Sequence, residues 1–398
     1  MSEKNLTLFF TIKEFEKVHL YKDVGLTPYY IGKEYNLDVD IIYSNSEKKE
    51  LPKEFRNMAL IEIPYYNIWK FLQKIDKFKI LENISFYKYL LQKAKEIDNL
   101  MFFHIGIDKF FLVILYKLLN KKGKVYFKMD SNINGVRAIN KNNISFVKKI
   151  QKVFLRNLIK KIDLISIETQ DAYNEIQRNG LYNKNIENKL IYIPNGFDEE
   201  YIIENNISIK EFEEKENIMI TIGRIGTEQK NNEMLLSSLN NLDLKDWKVY
   251  IIGPYTDDFK IKYDDFIINN PDKKEKVKLI GNIEDKNLLY GYYNRAKVFL
   301  LTSRWEGSAI VYPEALRFGN YIITTNVGGA QDITNNGKIG TVTEIENTIQ
   351  FRDEILKVID NKIDLEEKYN KSLQLSKEKF LWNEIVKSKK FKEFFEER

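Results

Sequence analysis

Two series of short apolar segments, separated by helical patterns, constrain the fold of this 398-residue chain. The first series begins with LTLFFTI (Leu6–Ile12) and ends with DLISIET (Asp163–Thr169). The second begins with IMITIG (Ile218–Gly223) and ends with YIITTNVGG (Tyr321–Gly329). Uninterrupted apolar strands that alternate with helices are typical of parallel sheets covered by helices on both faces. The sequence therefore predicts an α/β fold with two doubly wound, Rossmann-like domains.

The two series divide the chain into four predicted segments. An N-terminal Rossmann-like domain is expected at 1–192 and a C-terminal one at 218–375. A linker is expected at 193–217, which is rich in charged residues, and a helix at 376–398, where apolar residues recur at helical spacing. Ligands of such sheets bind beyond the carboxyl ends of the strands. We therefore expect the functional residues in loops that follow strands, in a cleft between the two domains.

Composition excludes several classes of protein. The chain has no cysteine and two histidines, His19 and His104, which excludes a disulfide scaffold and a metal site built from thiolates or several imidazoles. The sequence shows neither an N-terminal secretory segment nor an apolar run of about 18 residues. We therefore expect a cytoplasmic protein without a membrane-spanning helix.

The small net charge of +5 conceals an uneven distribution. Residues 1–192 carry 33 Lys and Arg against 22 Asp and Glu, whereas residues 193–398 carry 30 against 36. The amphipathic stretch Ser145–Leu164 contains six of the cations, namely Lys148, Lys149, Lys152, Arg156, Lys160 and Lys161. This stretch is either a surface helix packed on its sheet or a basic face that contacts anionic lipid at the inner face of a membrane. No nucleic-acid-binding motif accompanies the charge, so we expect no nucleic acid partner.

One loop in the second half carries two cations at a predicted strand-to-helix corner. Arg224 and Lys230 follow the strand Ile218–Gly223 and precede a helical pattern. A planar guanidinium and a point-like ammonium at such a corner suit a diphosphate. Each residue alone is also consistent with an ordinary solvated surface charge.

A second loop carries two carboxylates, Glu306 and Glu314, separated by small residues and a proline. Pro313 indicates that a helix begins close to it, which places Glu314 in the first helical turn. Carboxylates accept hydrogen bonds from pairs of sugar hydroxyls, although an acid in a first turn also complements the helix dipole. Gly328–Gly329, after a later strand, permits close approach of a ligand or simply forms a tight turn.

The ordered set of motifs resembles the family 4 glycosyltransferases. The resemblance covers nearly the whole second domain and rests on PNGFD (Pro194–Asp198), GR…QKN (Gly223–Asn231), IGP, LIGN and EGSAIVYPEALRFGNYIITTNVGG (Glu306–Gly329). In the first domain it is carried by VGLTPYY, FFHIG and ISIET. It implies a retaining, nucleotide-sugar-dependent enzyme of the GT-B fold, with an N-terminal acceptor domain, a C-terminal donor domain and a C-terminal helix that returns to the first domain.

The resemblance assigns roles in the second domain to residues that match the family's motifs. Arg224 and Lys230 would hold the donor diphosphate and offset the charge of the leaving group. Glu306 would contact the donor sugar, and Glu314 would bind the ribose. The sugar and phosphate would be lined by the backbone of Gly307, Ser308 and Ala309.

The resemblance also assigns the nucleobase and three residues of the first domain. The base would lie against Gly281, Asn282 and Ile283. Gly25 would lie in a loop that faces the phosphates, and Asp130 would point to the acceptor side. His104 would reach the donor sugar, whereas without the resemblance a hydrogen-bonded packing role is the simpler interpretation. The implied catalytic residues are Glu306, His104, Arg224 and Lys230.

Two cations beside the leaving group can stabilise its charge without a metal ion. The pairs Asp257–Asp258 and Asp264–Asp265 are accordingly interpreted as surface acids. We expect no metal and no cofactor beyond the co-substrate, a nucleotide sugar for which a UDP-hexose is the expected identity, with a glycan, glycolipid or glycoprotein as acceptor. Two alternatives stay open: a sugar-nucleotide epimerase on the same fold, and a non-catalytic subunit that binds glycans or a sister transferase.

Overall fold

The computed structural model describes residues 4–11, 14–46, 50–66, 76, 80–141 and 145–396. The chain forms two compact units, of which the first comprises residues 1–193 and 385–398 and the second comprises residues 194–384. Among the described residues, no helix combines the length and the apolar character needed to cross a bilayer.

The described part of the first unit contains an eight-stranded sheet in the order β3-β4-β2-β1-β5-β6-β7-β8, parallel except where β3 pairs with β4. Its strands are β1 (Asn5–Phe10), β2 (Asp38–Ser44), β3 (Glu54–Phe55), β4 (Met58–Ile63), β5 (Asn99–Phe103), β6 (Lys124–Met129), β7 (Leu164–Ile167) and β8 (Leu190–Tyr192). The first apolar segment of the sequence is therefore a strand, although Ile12 lies outside the described residues. The strand order reverses between β1 and β5, which is where ligands bind in such sheets.

Helices connect these strands, and the longest described one lies within the amphipathic stretch Ser145–Leu164 of the sequence. They are α1 (Lys17–Leu20), α2 (Asp23–Tyr35), α3 (Ile84–Lys93), α4 (Phe110–Leu119), α5 (Ile133–Asn140), α6 (Phe146–Lys161) and α7 (Gln170–Asn179). Helix α6 packs on α4 through Phe154, whose ring centroid lies 5.0 Å from that of Phe110.

The second unit, all of whose residues are described, contains a six-stranded parallel sheet in the order β11-β10-β9-β12-β13-β14. Its strands are β9 (Glu216–Ile222), β10 (Lys248–Ile252), β11 (Val277–Gly281), β12 (Ala296–Leu301), β13 (Tyr321–Thr325) and β14 (Gly340–Thr343). This is the strand order of a Rossmann fold, and its direction reverses between β9 and β12.

The helices of the second unit begin inside the stretch that the sequence suggests is a linker. They are α8 (Glu199–Glu204), α9 (Asn232–Leu239), α10 (Asp257–Asn269), α11 (Lys286–Arg295), α12 (Val311–Arg317), α13 (Ala330–Ile333), α14 (Thr348–Ile359), α15 (Leu365–Lys379) and α16 (Trp382–Ile385). Within 193–217, Ile202 of α8 is buried in the core of this unit, and Glu199 binds Arg317 through two hydrogen bonds of 2.7 and 2.6 Å. Most of the segment is therefore an integral part of the second unit.

The last part of the chain is not the single helix expected at 376–398. Helix α15 ends at Lys379 because the next residues pair with Phe197, whose N–H donates to Phe380 O and whose carbonyl accepts from Trp382 N–H. A final helix, α17 (Lys389–Glu396), belongs to the first unit and buries Phe391 against Tyr126, with ring centroids 5.5 Å apart. The C-terminal helix thus returns to the first unit.

Candidate functional site

The strand order places two loops of the second unit side by side. Strands β9 and β12 are neighbours where the sheet reverses direction, and the loops after them carry Arg224 and Lys230 in one case and Glu306 in the other. The carboxyl ends of parallel strands lie on one edge of a sheet, so these side chains converge although about 80 residues separate them in sequence. The sequence-predicted residues therefore meet at the expected edge.

Lys230 and Glu306 form a close ion pair at this edge. The Lys230 Nζ lies 2.7 Å from Glu306 Oε1, and their side chains are 13% and 7% exposed. Ser303 Oγ donates a second hydrogen bond to Oε1 at 2.6 Å, and Gln229 Nε2 donates to Oε2 at 3.1 Å. Three donors hold the Glu306 carboxylate in one orientation.

The local backbone explains why Lys230 points at Glu306. The Lys230 carbonyl accepts a hydrogen bond from Thr302 Oγ1 at 3.0 Å, which joins the two loops. Gly223 leaves room for the lysine side chain, because a Cβ there would lie 3.3 Å from Lys230 Cε. Asn231 adopts a left-handed conformation (φ 49°) and starts helix α9, so the chain turns sharply directly after the lysine.

Gln229 joins the exposed Arg224 to the ion pair, and sequence reasoning assigned it no role. Its Oε1 accepts a hydrogen bond from Arg224 Nη2 at 2.7 Å, while its Nε2 donates to Glu306. The Gln229 carbonyl also accepts the N–H of Arg304 at 2.8 Å. The position of Gln229 in the QKN motif was the one feature of the sequence that could have pointed to a role. That motif does not reveal contacts with a loop some 75 residues away.

The small residues after Glu306 are held by close backbone packing. Asn195 of the PNGFD motif donates from Nδ2 to Ser308 O at 2.8 Å. A Cβ on Gly328 would lie 2.0 Å from Gly307 O and 2.6 Å from Glu306 O, so only glycine fits at that position. The expected lining, Gly307–Ala309, therefore forms one layer with the turn after β13.

Glu314 lies in the first turn of helix α12, as the sequence predicts, and its partners are tyrosines. Tyr293 donates from its hydroxyl to Glu314 Oε2 at 2.8 Å. Burial, reinforced by the nearby Glu314 carboxylate, raises the pKa of Tyr290 and of Tyr293 well above the usual value. Both phenols therefore remain neutral and able to donate.

The end of β11 and the loop after it carry three residues of the predicted site. Gly281 has a φ of 88° and its carbonyl accepts the N–H of Gly253 at 2.8 Å, which fixes it to the end of β10. Asn282 is exposed, and Ile283 packs partly against the core of the second unit.

Two site residues predicted in the first unit, His104 and Asp130, directly follow strands. These strands lie close to the point where the strand order of the first sheet reverses. His104 follows β5 in a left-handed conformation (φ 57°), which is uncommon for a residue with a side chain, and its N–H donates to Lys128 O at 2.8 Å. Asp130 follows β6, and both side chains are exposed. His104 is thus not packed in the core of the unit.

Gly25 differs from its prediction, because it lies in the first turn of helix α2 rather than in a loop. The residue is buried, and a Cβ there would lie 2.3 Å from the backbone oxygen of Leu20. Glycine is required because α1 and α2 pack this closely.

An ion cluster in the first unit had no counterpart in the sequence analysis. Lys128 of β6 is fully buried, pairs with Glu168, and lies 3.1 Å from Asp23 Oδ2 at the start of α2. Burial alone lowers the pKa of Lys128, but Glu168 and Asp23 together raise it above the usual value. The cluster ties the start of α2 to the ends of β6 and β7.

The acids interpreted as surface residues are exposed on helix α10, where Lys262 pairs with Asp258 and Lys260 with Asp264. Among the residues that the structure describes, no three His, Asp or Glu side chains lie close enough together to hold a metal ion.

Comparison with known families concerns mainly the second unit. Residues 202–375, which lie within the second unit, match the family described as Glycosyl transferases group 1. The second unit is a group 1 glycosyltransferase domain. Curated relatives include the capsular polysaccharide biosynthesis glycosyltransferase CapM of Staphylococcus aureus, 27% identical over 53% of this chain and 57% of the relative. A probable sucrose-phosphate synthase of Thermosipho melanesiensis is 25% identical over 55% of this chain and 50% of the relative, so the chain spans about half the length of the curated relatives it matches.

Several solved structures share the fold along almost the entire chain. Anabaena Alr3699/HepE in complex with UDP superposes with a TM-score of 0.67 at 14% identity, covering 96% of this chain and 97% of that one. The lipopolysaccharide outer core galactosyltransferase WaaB also reaches 0.67 at 14% identity, covering 99% and 100%. A glycosyltransferase of Rickettsia africae reaches 0.68 at 14% identity and covers both chains fully. The fold of the chain is therefore GT-B.

Proposed function

We propose that this protein is a retaining, metal-independent glycosyltransferase. It would transfer the hexose of a UDP-hexose donor to a glycan, glycolipid or glycoprotein acceptor during surface polysaccharide or glycoconjugate biosynthesis. The observation that carries the proposal is the Lys230–Glu306 pair, which lies beside Arg224 where the sheet of the second unit reverses direction.

The cations of this site suit a diphosphate leaving group. Arg224 is exposed and offers a planar set of donors, while Lys230 adds a compact charge 2.7 Å from Glu306. When the bond between the sugar C1 and the diphosphate oxygen breaks, both cations would stabilise the charge that develops on the departing UDP. In this proposal, the two cations stabilise the leaving group in place of the divalent metal ion that other enzymes use for this purpose.

The carboxylates suit the hydroxyl groups of the donor. Glu306 is oriented by Ser303 and Gln229 and would accept hydrogen bonds from the hexose. Glu314, held by Tyr293, would accept hydrogen bonds from the ribose. We propose that the acceptor attacks on the face from which UDP departs and that the leaving phosphate takes its proton.

The similar proteins support the choice of donor and pathway. CapM is a capsular polysaccharide glycosyltransferase, WaaB is a galactosyltransferase of the lipopolysaccharide outer core, and HepE has been solved with UDP-glucose. A UDP-hexose donor and a surface-glycan acceptor are consistent with all three.

Ligand-induced stabilisation tests the proposal. At a concentration of about 100 times its Kd, UDP is expected to raise the Tm by about 5–10 °C, because it binds the native state alone. GDP and ADP, which carry the same ribose and diphosphate but a different base, serve as control ligands. They are expected to raise the Tm less than UDP does. The proposal fails if no nucleoside diphosphate raises the Tm.

Product analysis with the donor alone separates the proposed activity from the alternatives. A transferase leaves UDP-hexose unchanged except for slow hydrolysis until an acceptor is added, whereas an epimerase changes the sugar configuration without an acceptor. A non-catalytic subunit would do neither, even with a complete acceptor preparation.

We also propose that this protein, expected in the cytoplasm, contacts the inner face of a membrane peripherally through helix α6. The helix buries Leu158 and Ile159, whereas Val147, Ile150 and Val153 are exposed. The exposed cations on the helix are Lys148, Lys149, Lys160 and Lys161. Lys152 and Arg156 instead donate to backbone carbonyls within the unit, so the proposed contact rests on the other four cations.

Vesicle sedimentation tests this contact. Reversing two charges in the variant Lys148→Glu/Lys149→Glu is expected to weaken binding to phosphatidylglycerol-containing vesicles about tenfold or more, because each cation near the surface contributes about 1 kcal/mol. The control Lys377→Glu/Lys379→Glu changes two exposed lysines of α15 and should bind like wild type. Equal binding of wild type to phosphatidylcholine vesicles would contradict an electrostatic contact.

A further inference from the structure

The loop that carries Lys230 is held by hydrogen bonds from the loop after β12. Three consecutive carbonyls, those of Glu228, Gln229 and Lys230, accept from this second loop. Arg304 supplies two of the donors, because its Nη1 lies 2.7 Å from Glu228 O and its N–H donates to Gln229 O at 2.8 Å. Residues 226–231 form no helix or strand of their own, so the position of the lysine depends on such contacts.

Arg304 is itself fixed by Glu346, in the loop after β14. Its Nε donates to Glu346 Oε1, and the other carboxylate oxygen, Oε2, accepts from Asn231 Nδ2 at 3.2 Å. The hydrogen bond from Arg304 lowers the pKa of Glu346, so this carboxylate is ionised at neutral pH. Because Asn231 directly follows Lys230, Glu346 connects the arginine to the far end of the same loop.

The ion pair between Arg304 and Glu346 is exposed enough that its contribution to folding should be small. The two side chains are 32% and 54% exposed, and an exposed ion pair contributes little to the stability of a fold. Arg295 and Glu216 form a comparable pair in this unit, 41% and 43% exposed, but at the amino end of β9. What distinguishes the Arg304 pair is its place beside Lys230.

We infer that Arg304 is a positioning residue of the candidate site. Held by Glu346, it sets where Lys230 lies relative to Glu306. The assignment rests on the proposed function, in which Lys230 stabilises the charge of the departing diphosphate. An arginine suits this task because its planar guanidinium donates from two separate nitrogens at once, here to Glu346 and to Glu228 O. A cation stabilises a developing charge only from the right place, and a misplacement of about 1 Å can lower a rate about 10²-fold.

Steady-state kinetics of Arg304→Met in two backgrounds test this role. In the wild-type background, kcat for hexose transfer is expected to fall about tenfold, which is part of the cost of a full misplacement. The Tm should fall by no more than about 4 °C, because only an exposed ion pair is lost. In the Lys230→Met background, the same change should lower kcat less than about twofold, because no charge remains to be positioned. A purely structural contribution would lower kcat by the same factor in both backgrounds.

Two further variants and a control accompany this comparison. Glu346→Gln should lower kcat in the same way but by a smaller factor, because the bond from Arg304 Nη1 to Glu228 O remains. Arg304→Lys keeps the charge without two separate donor nitrogens and should recover part of the loss. The control is Arg295→Met, which removes the pair with Glu216 at the opposite edge of the sheet and should leave kcat unchanged.

A kcat of Arg304→Met close to that of the wild type would overturn the positioning role, and so would equal losses in the two backgrounds. Both results leave the proposed function intact, because the wild type still binds UDP and transfers the hexose. If Arg304→Met does not fold, Glu346→Gln is compared in the same two backgrounds with the same criteria. If the wild type neither binds a nucleoside diphosphate nor transfers a hexose, the proposed function fails, and the positioning role fails with it.

Discussion

Glu306→Gln is expected to lower kcat for hexose transfer by about 10²–10³-fold, the usual cost of removing one preorganised group at a reacting centre. Glutamine keeps the volume of the side chain and a carbonyl that can accept from Ser303, which lies 2.6 Å from Glu306 Oε1. What it removes is the negative charge beside the donor sugar. The Kd for UDP should change much less than kcat, because Glu306 is proposed to contact the hexose.

Steady-state kinetics with UDP-hexose, together with calorimetry of UDP, measures both quantities. Glu306→Ala is a poorer test, because it removes every acceptor that Lys230 and Ser303 use at this position and leaves their buried donors unsatisfied, whereas glutamine keeps a carbonyl oxygen for them. Glu275→Gln, which neutralises a carboxylate 81% exposed on the surface of the same unit, is the matched control. A kcat close to wild type in Glu306→Gln would remove Glu306 from the mechanism.

The fold was largely predictable because its strands are short, continuous and apolar. Helix Phe110–Leu119 illustrates this, since its residues are almost all apolar and it lies between two clear strands. The error at 193–217 arose because local charge outweighed the few buried residues of α8, such as Ile202. The break after Lys379 depends on pairing with Phe197, a contact across more than 180 residues that no local pattern reveals.

The candidate site was predictable to a different degree in each of its parts. The convergence of Arg224, Lys230 and Glu306 at one edge of the sheet was predictable, because the loops that carry them follow strands of one parallel sheet. The bridging role of Gln229 and the ion cluster around Lys128 arise from tertiary contacts, and short motifs do not encode their partners. Gly25 was misplaced because its conformation follows from helix packing rather than from a loop.

Lys230→Met is expected to lower kcat by about 10²–10³-fold and to weaken UDP binding by at least about tenfold. Methionine fills similar space beside Gly223, where a Cβ would lie 3.3 Å from Lys230 Cε, but it has no charge for the diphosphate. Glu306 would keep Ser303 and Gln229 as donors, so the fold should tolerate this change better than Glu306→Ala. Lys230→Arg should retain UDP binding more fully than Lys230→Met.

A double-mutant cycle tests whether Lys230 and Glu306 act as a unit. Because the two side chains are 2.7 Å apart, the activation free energies lost in Lys230→Met and Glu306→Gln should sum to more than the loss in the double variant. Lys248→Met is the control, since Lys248 is an exposed lysine at the amino end of β10, the end opposite to the site. Wild-type kcat in Lys230→Met would contradict leaving-group stabilisation by this lysine, and strict additivity would contradict a coupled pair even if both residues prove essential.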